Sequence, residues 1–134
     1  MQISTHLGIN QDLNGTPIAM GEGQATVQLK TTPNMVANEE GLIHGGFIFG
    51  AADYAAMLAV NEPTVVLAAA EMRFKAPVAL GEIVVLEAKI VENRENNASK
   101  NHIFFACVFK SILERFGEGF GRGLGPPWRL LGHF

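Results

Sequence analysis

The chain of 134 residues is short of several things, and each shortage removes a class of function. It has one cysteine, Cys107, so no disulfide can close within the chain. No histidines, cysteines or carboxylates are spaced as a zinc-ligand set, and no metal is expected. Within the apolar run IFFACVF, Cys107 reads as a small buried hydrophobe. Charge is sparse at 17%, with a formal net charge of −3, which gives no basic footprint for nucleic acid. The most apolar stretch, Leu42 to Val60, is broken by His44, Asp53 and glycines and reads poorly as a membrane span. The first residues, MQISTHLGINQDLNG, lack both the basic start and the apolar stretch of a secretory signal. The expectation is a soluble, cytoplasmic protein.

What is present is hydrophobic patterning. Apolar residues make up 48% of the chain, too many for a disordered segment, and the length suits one core. Residues 17–31 (PIAMGEGQATVQLKT) turn at Gly21–Gly23 and then alternate, which predicts a hairpin with one buried face. TPNMVANEEG follows as a polar loop. From His44 to about Asn61 the apolar residues cover most of a helical wheel, predicting a helix buried on nearly every side and ended by Pro63. Its small residues (Gly50, Ala51, Ala52, Ala55, Ala56) would let a sheet approach closely. Strands are expected over 64–74, 82–93 and 101–110. Runs of strands with one buried helix indicate an α+β fold, an antiparallel sheet wrapped around one long central helix. The domain is expected to span residues 1–116, leaving 117–134, rich in glycine with a Pro126–Pro127 pair, as a tail.

Asp53 is the residue hardest to explain as structure. It lies near the middle of the apolar helix, where an unpaired carboxylate is costly to bury. It either pairs with a local donor such as Tyr54, caps a second short helix, or is a catalytic carboxylate tuned by its surroundings. Gly45 and Gly46 sit where the helix begins, next to N–H groups without intrahelical partners. With the helix dipole these make a site for developing negative charge, although a Gly-Gly pair also serves tight packing. Eight residues separate Gly45 from Asp53, roughly 12 Å along a helix. One helix therefore cannot easily bring both to one carbonyl. Two chains with antiparallel helices could, which favours a two-fold dimer with composite sites.

The segment HGGFIFGAAD (His44 to Asp53) resembles the signature of the phenylacetyl-CoA thioesterase-like branch of the hotdog-fold superfamily. That pattern joins HGG to a helix with an acid nine positions after the histidine, as His44 and Asp53 stand here, and an asparagine six before it, as Asn38 stands. RFKAPVALGE (Arg73 to Glu82) is similar to the family's strand-turn-strand junction, and the resemblance spans roughly residues 15–110. It implies a hotdog fold and hydrolysis of an acyl-CoA thioester, with CoA thioester as substrate and no cofactor. In that mechanism Gly45 N–H polarises the carbonyl, and Asp53 of the partner chain acts as nucleophile or general base. Asn38 helps place the water or thioester, and His44 is a hydrogen-bonding residue at the helix start. Gly46 and Phe47 complete the substrate-binding set, while Arg73 and Lys75 could meet CoA phosphates. Phe47, Phe49, Met57 and Leu58 would suit an apolar acyl or aryl group, or are simply core. The assembly implied is a homodimer, extending to a dimer of dimers.

Two features depart from that pattern. Some members carry a serine or threonine on the strand after the helix, where this chain reads VVLAAAEM. The C-terminal segment does not look like a final hotdog strand. The competing reading is a non-catalytic hotdog module that binds acyl-CoA or acyl-carrier-protein thioesters as a sensor, since AEMRF faintly resembles a strand of malonyl-CoA-binding lipid regulators. Those regulators place an amide where Asp53 stands and carry a DNA-binding segment with no counterpart here. A hotdog dehydratase would arrange its histidine and helix acid differently. Retention of Asp53 favours the hydrolase.

Overall fold

A computed structural model describes residues 1–74, 76–96, 100–115 and 118–133, with side chains described through residue 92 apart from that of residue 75. The elements in chain order are α1 (Gln11–Asn14), β1 (Thr16–Gly21), β2 (Gln24–Lys30), α2 (Gly45–Val60), β3 (Val66–Glu71), β4 (Glu82–Asn96), β5 (Lys100–Arg115) and β6 (Glu118–His133). A single 3-10 turn, Pro33–Met35, lies in the loop between β2 and α2. The six strands form one antiparallel sheet in the order β1-β2-β4-β5-β6-β3, and α2 packs on it. This is the α+β arrangement expected from the patterning.

Alternation along β2 and β4 decides which face of the sheet meets the helix. Ala25, Val27 and Leu29 of β2 are buried, as are Val84, Leu86 and Ala88 of β4. Register pairs them directly as Ala25↔Ala88, Val27↔Leu86 and Leu29↔Val84, so one continuous apolar surface forms. Against it α2 lays Ile48, Ala51, Ala52, Ala55, Ala56, Leu58 and Ala59, all buried. Alanine on the helix and the Ala25–Ala88 pair on the sheet together allow the close approach that larger side chains would prevent. The helix ends at Asn61, a left-handed C-cap (φ 55°, ψ 35°) whose N–H donates to the Met57 carbonyl, two residues before Pro63.

Three local expectations need adjusting. The third strand starts at Val66 rather than Thr64, because Glu62 to Val65 form a turn closed by Val65 N–H to the Glu62 carbonyl. A one-turn helix, α1, forms ahead of the hairpin, where no element was predicted. Asn10 caps it by accepting the Asp12 N–H, and α1 packs on α2. The segment 117–134, read as a tail, contains β6, which pairs with β5 on one side and β3 on the other. Its register slips between Cys107↔Trp128 and Phe109↔Leu124, and the Pro126–Pro127 pair lies in that gap. Proline has no N–H to give to a ladder, so the bulge lets a strand tolerate the pair. Composition alone signalled a loop. Cross-strand pairing on both sides overrides it.

Leu86, 1% exposed and central to the sheet–helix contact, should lose about 2–5 kcal/mol on change to alanine. Exposed Lys89→Ala on the same strand should stay within about 0.5 kcal/mol of the parent. Guanidinium denaturation of the two variants checks the assigned faces: equal losses would mean that β4 is out of register.

Candidate active site

The start of α2 is held by its surroundings rather than by a side-chain cap. His44 occupies the N-cap with extended backbone, and its ring makes no capping hydrogen bond. Its N–H donates to the Met35 carbonyl (2.9 Å), and its carbonyl accepts the Phe47 N–H (3.1 Å). The incoming loop is stitched to the segment before β4. Ile43 N–H reaches the Val78 carbonyl (2.7 Å), and Leu80 N–H reaches the Gly41 carbonyl (2.8 Å). Leu42 bridges Ala79 in the same way. Asn38 organises this loop: its side-chain oxygen accepts N–H groups of Glu40 and Leu42, both at 3.1 Å. The expected hydrogen-bonding role of His44 is thus carried by its backbone, and the Asn38 side-chain oxygen is engaged within the loop.

Each helix-start glycine leaves room for an aromatic ring. A Cβ on Gly45 would sit 3.3 Å from Phe74 Cε1, and one on Gly46 would sit 2.9 Å from His44 Nε2. Gly45 lines a cleft of ≈ 280 Å³ with Ile43, Ile48, Phe74, Ala76, Pro77 and Val78. The lining is apolar except for backbone, and the helix N-terminus opens at one side of it. The first N–H groups of any helix have no intrahelical acceptor, and here only the third, on Phe47, is taken by the His44 carbonyl among the described contacts. Phe47 is half-buried, its ring edge-on to His44 at 6.2 Å. Arg73 lies near the cleft in sequence, exposed, and pairs at 3.8 Å with Glu71, equally exposed; such a pair contributes little. Lys75, expected as a substrate-binding residue, lies outside the described residues.

Asp53 stands on the same unbroken helix as Gly45, so it caps no second helix. Its Oδ1 is buried and has no hydrogen-bond partner among the described residues, which leaves the local pairing with Tyr54 unformed at that atom. Burial pushes the carboxyl above the ordinary carboxylate range, and the charge of His6 pulls it part of the way back. That influence was not legible in the sequence: His6 precedes Asp53 by 47 positions, in a polar segment without periodicity. Along α2, Gly46 is exposed and Phe49 and Asp53 are partly covered on the same face of the helix, while Met57, one turn beyond Asp53, is fully buried.

A family model described as the thioesterase superfamily matches residues 40–98, the stretch holding α2, β3 and β4. The uncharacterized protein PH1136 from Pyrococcus horikoshii is 40% identical, with 99% of this chain and 92% of that chain covered and a TM-score of 0.77. The chain belongs to the hotdog-fold thioesterase superfamily. The E. coli PaaI protein from the phenylacetic acid degradation operon shares the fold, with a TM-score of 0.62, 23% identity, and coverage of 91% of this chain and 84% of that one. Among curated proteins, 107 residues are 54% identical to a methylthioribose-1-phosphate isomerase of Aquifex aeolicus. That match takes in 80% of this chain but 23% of the isomerase, so the chain spans about a quarter of its curated relative.

A carboxyl raised by burial has a definite linkage to stability. Between the unfolded value, near about pH 4, and its higher folded value, the native state holds the proton the unfolded chain has lost. Stability therefore falls as pH rises through that window and stays lower above it. Asp53→Asn should raise Tm at about pH 7, and the gain should shrink toward zero below about pH 4. Thermal scans of both proteins across pH check this; a variant less stable than the parent at neutral pH would mean that the carboxylate has a partner that stabilises it.

Proposed function

We propose that the protein hydrolyses an acyl-CoA thioester to the free acid and CoA. The observation that carries this reading is Asp53, a half-buried carboxylate with one buried, partnerless oxygen on an apolar helix, at the acid position of the family's helix motif. Nothing in the packing of α2 requires a charge there, and burial opposes one. A group retained against that penalty is explained by chemistry.

In the proposed mechanism the thioester carbonyl sits in the apolar cleft beside Gly45. The first N–H groups of α2 and the helix dipole stabilise its developing negative charge. Because Gly45 and Asp53 are roughly 12 Å apart along one helix, the carboxylate that reacts comes from a partner chain. The incompletely covered residues Gly46, Phe49 and Asp53 on one face of α2 support a partner helix lying there. A second support is β3, an edge strand whose apolar Val66, Ala68, Ala69 and Ala70 are exposed. Asp53 either attacks the carbonyl carbon itself, expelling CoA thiolate and leaving a mixed anhydride that water then hydrolyses to the free acid, or takes a proton from a water that attacks the carbonyl and expels CoA thiolate directly. Asn38 shapes the loop that carries the substrate to the helix start, and His44, Gly46 and Phe47 border the same entrance. Arg73 and Lys75 are the cations available to CoA phosphates. The working unit is a homodimer, or a dimer of dimers. The named activity of the isomerase relative is not carried over, since most of that protein has no counterpart here.

Steady-state hydrolysis of an acyl-CoA panel, from acetyl to palmitoyl with phenylacetyl and hydroxybenzoyl included, tests the reading. At least one thioester should turn over, and Asp53→Asn should lower kcat by about 10²–10⁴-fold with little change in KM. Gly45→Ala, which presses a methyl group toward Phe74, should reduce kcat/KM for the same substrate. Binding of acyl-CoA without turnover in the parent protein would replace the hydrolase with a thioester-sensing module.

A further inference from the structure

We propose that Phe74 is a specificity-determining residue. Its ring walls the space next to the thioester carbonyl, so that the cleft takes an uncharged acyl group unbranched at the carbon beside that carbonyl. The inference rests on the reading of the Gly45 cleft as the thioester site and names the class of acyl group it admits.

Phe74 reaches the helix start from a distant part of the chain. It lies just beyond β3, and the residues after it lead to Val78, whose carbonyl accepts the Ile43 N–H (2.7 Å) from the loop entering α2. The sheet fastens one end of this connection and the loop fastens the other. Between them the ring is laid against Gly45. Its Cε1, Cδ1 and Cζ stand 3.3, 3.6 and 3.6 Å from the point a Cβ on Gly45 would occupy. A methyl group there would crowd the ring, so ring and bare backbone face each other directly. Phe74 is 57% exposed and adds little to the core. What it covers is the first residue of the helix.

The two sides of the helix start differ in chemistry. On the Phe74 side, Ile43, Ile48 and Val78 are buried, and Ala76 and Pro77 complete the cleft of ≈ 280 Å³. None of these lining side chains carries a charge or a hydrogen-bonding group. A carboxylate brought in on an acyl chain would lose its water and gain no partner from them. On the other side His44 and Gly46 are exposed, and His44 Nε2 stands 2.9 Å from the point a Cβ on Gly46 would occupy. An apolar acyl group is drawn to the first side, and the hydrated remainder of CoA stays on the second.

That orientation puts the carbon next to the carbonyl against the Phe74 ring. A methylene there has the ring as its neighbour. A second carbon branching from the same atom must take space the ring holds, and overfilling a packed apolar site is unfavourable. The cleft's volume lies near the lower end of the roughly 300–1,000 Å³ found for small-molecule pockets, which suits an acyl group and not a whole coenzyme.

Three CoA thioesters of four acyl carbons provide the test: butyryl, isobutyryl and succinyl, which differ in branching and charge. kcat/KM is measured in the parent and in Phe74→Ala. Kd is measured by calorimetry in Asp53→Asn with and without Phe74→Ala, a readout that needs no turnover. The parent should favour butyryl over each of the others by at least about ten-fold. Phe74→Ala should bring the isobutyryl-to-butyryl ratio at least about five-fold closer to one, and succinyl should stay disfavoured. A merely structural Phe74 would lower all three alike and leave the ratio in place, which overturns the proposal. Succinyl accepted as well as butyryl by the parent, or no binding of butyryl, overturns the acyl class. Should Phe74→Ala not fold, Phe74→Leu removes the ring while keeping apolar cover; the ratio should move in the same direction, and an unmoved ratio overturns the proposal equally. Failure of the hydrolase reading shows itself separately, as an absence of turnover across the wider panel while the Kd ratios still report on Phe74.

Discussion

Burying α2 against the faces of β2 and β4 is the contact on which the rest depends. Paired residues Val27 and Leu86, Leu29 and Val84 present a continuous apolar floor, and a helix rich in alanine lies close upon it. The same burial sets the difficulty of the molecule, because Asp53 is carried into that environment on the helix itself. A carboxylate there is desolvated before it does anything. Its raised affinity for a proton is therefore a consequence of the packing that makes the fold stable.

The two ends of α2 are prepared differently. At the N-terminus, hydrogen bonds between the Val36–Ile43 loop and the Val78–Leu80 segment hold the helix start open beside the apolar cleft, and two glycines leave space for Phe74 and His44. Toward the C-terminus, Asn61 adopts a left-handed conformation and gathers the N-terminal arm. Gly45 lies at one end of the helix and Asp53 two turns away. On the proposed reading that separation is resolved by a second chain, which would meet the face where Gly46, Phe49 and Asp53 are incompletely covered.

Much of this was legible because periodicity and chemistry agreed. The hairpin, the central helix, the faces of β4 and the oddity of Asp53 all follow from side-chain patterns that repeat at two or at 3.6 residues. Where composition spoke alone it misled. Residues 118–133 look like a tail by glycine and proline content, yet pairing on both sides makes them a strand. The glycine pair was legible as a special place, but the rings that need the space lie on either side of it in the chain, His44 next door and Phe74 well beyond the helix.

By itself the sequence determined the class of fold, the central helix and the residue in it that packing does not require. These depend on neighbours along the chain, and local spacing encodes them. Tertiary structure alone decided that the Asn38 side-chain oxygen is spent on its loop, that Phe74 roofs Gly45, and that the N-terminal arm fastens Ser4 to Asn61 and sets His6 against Tyr54. Those contacts join segments whose separation carries no pattern. They exist because the helix, the loop and the arm are all fastened to one core.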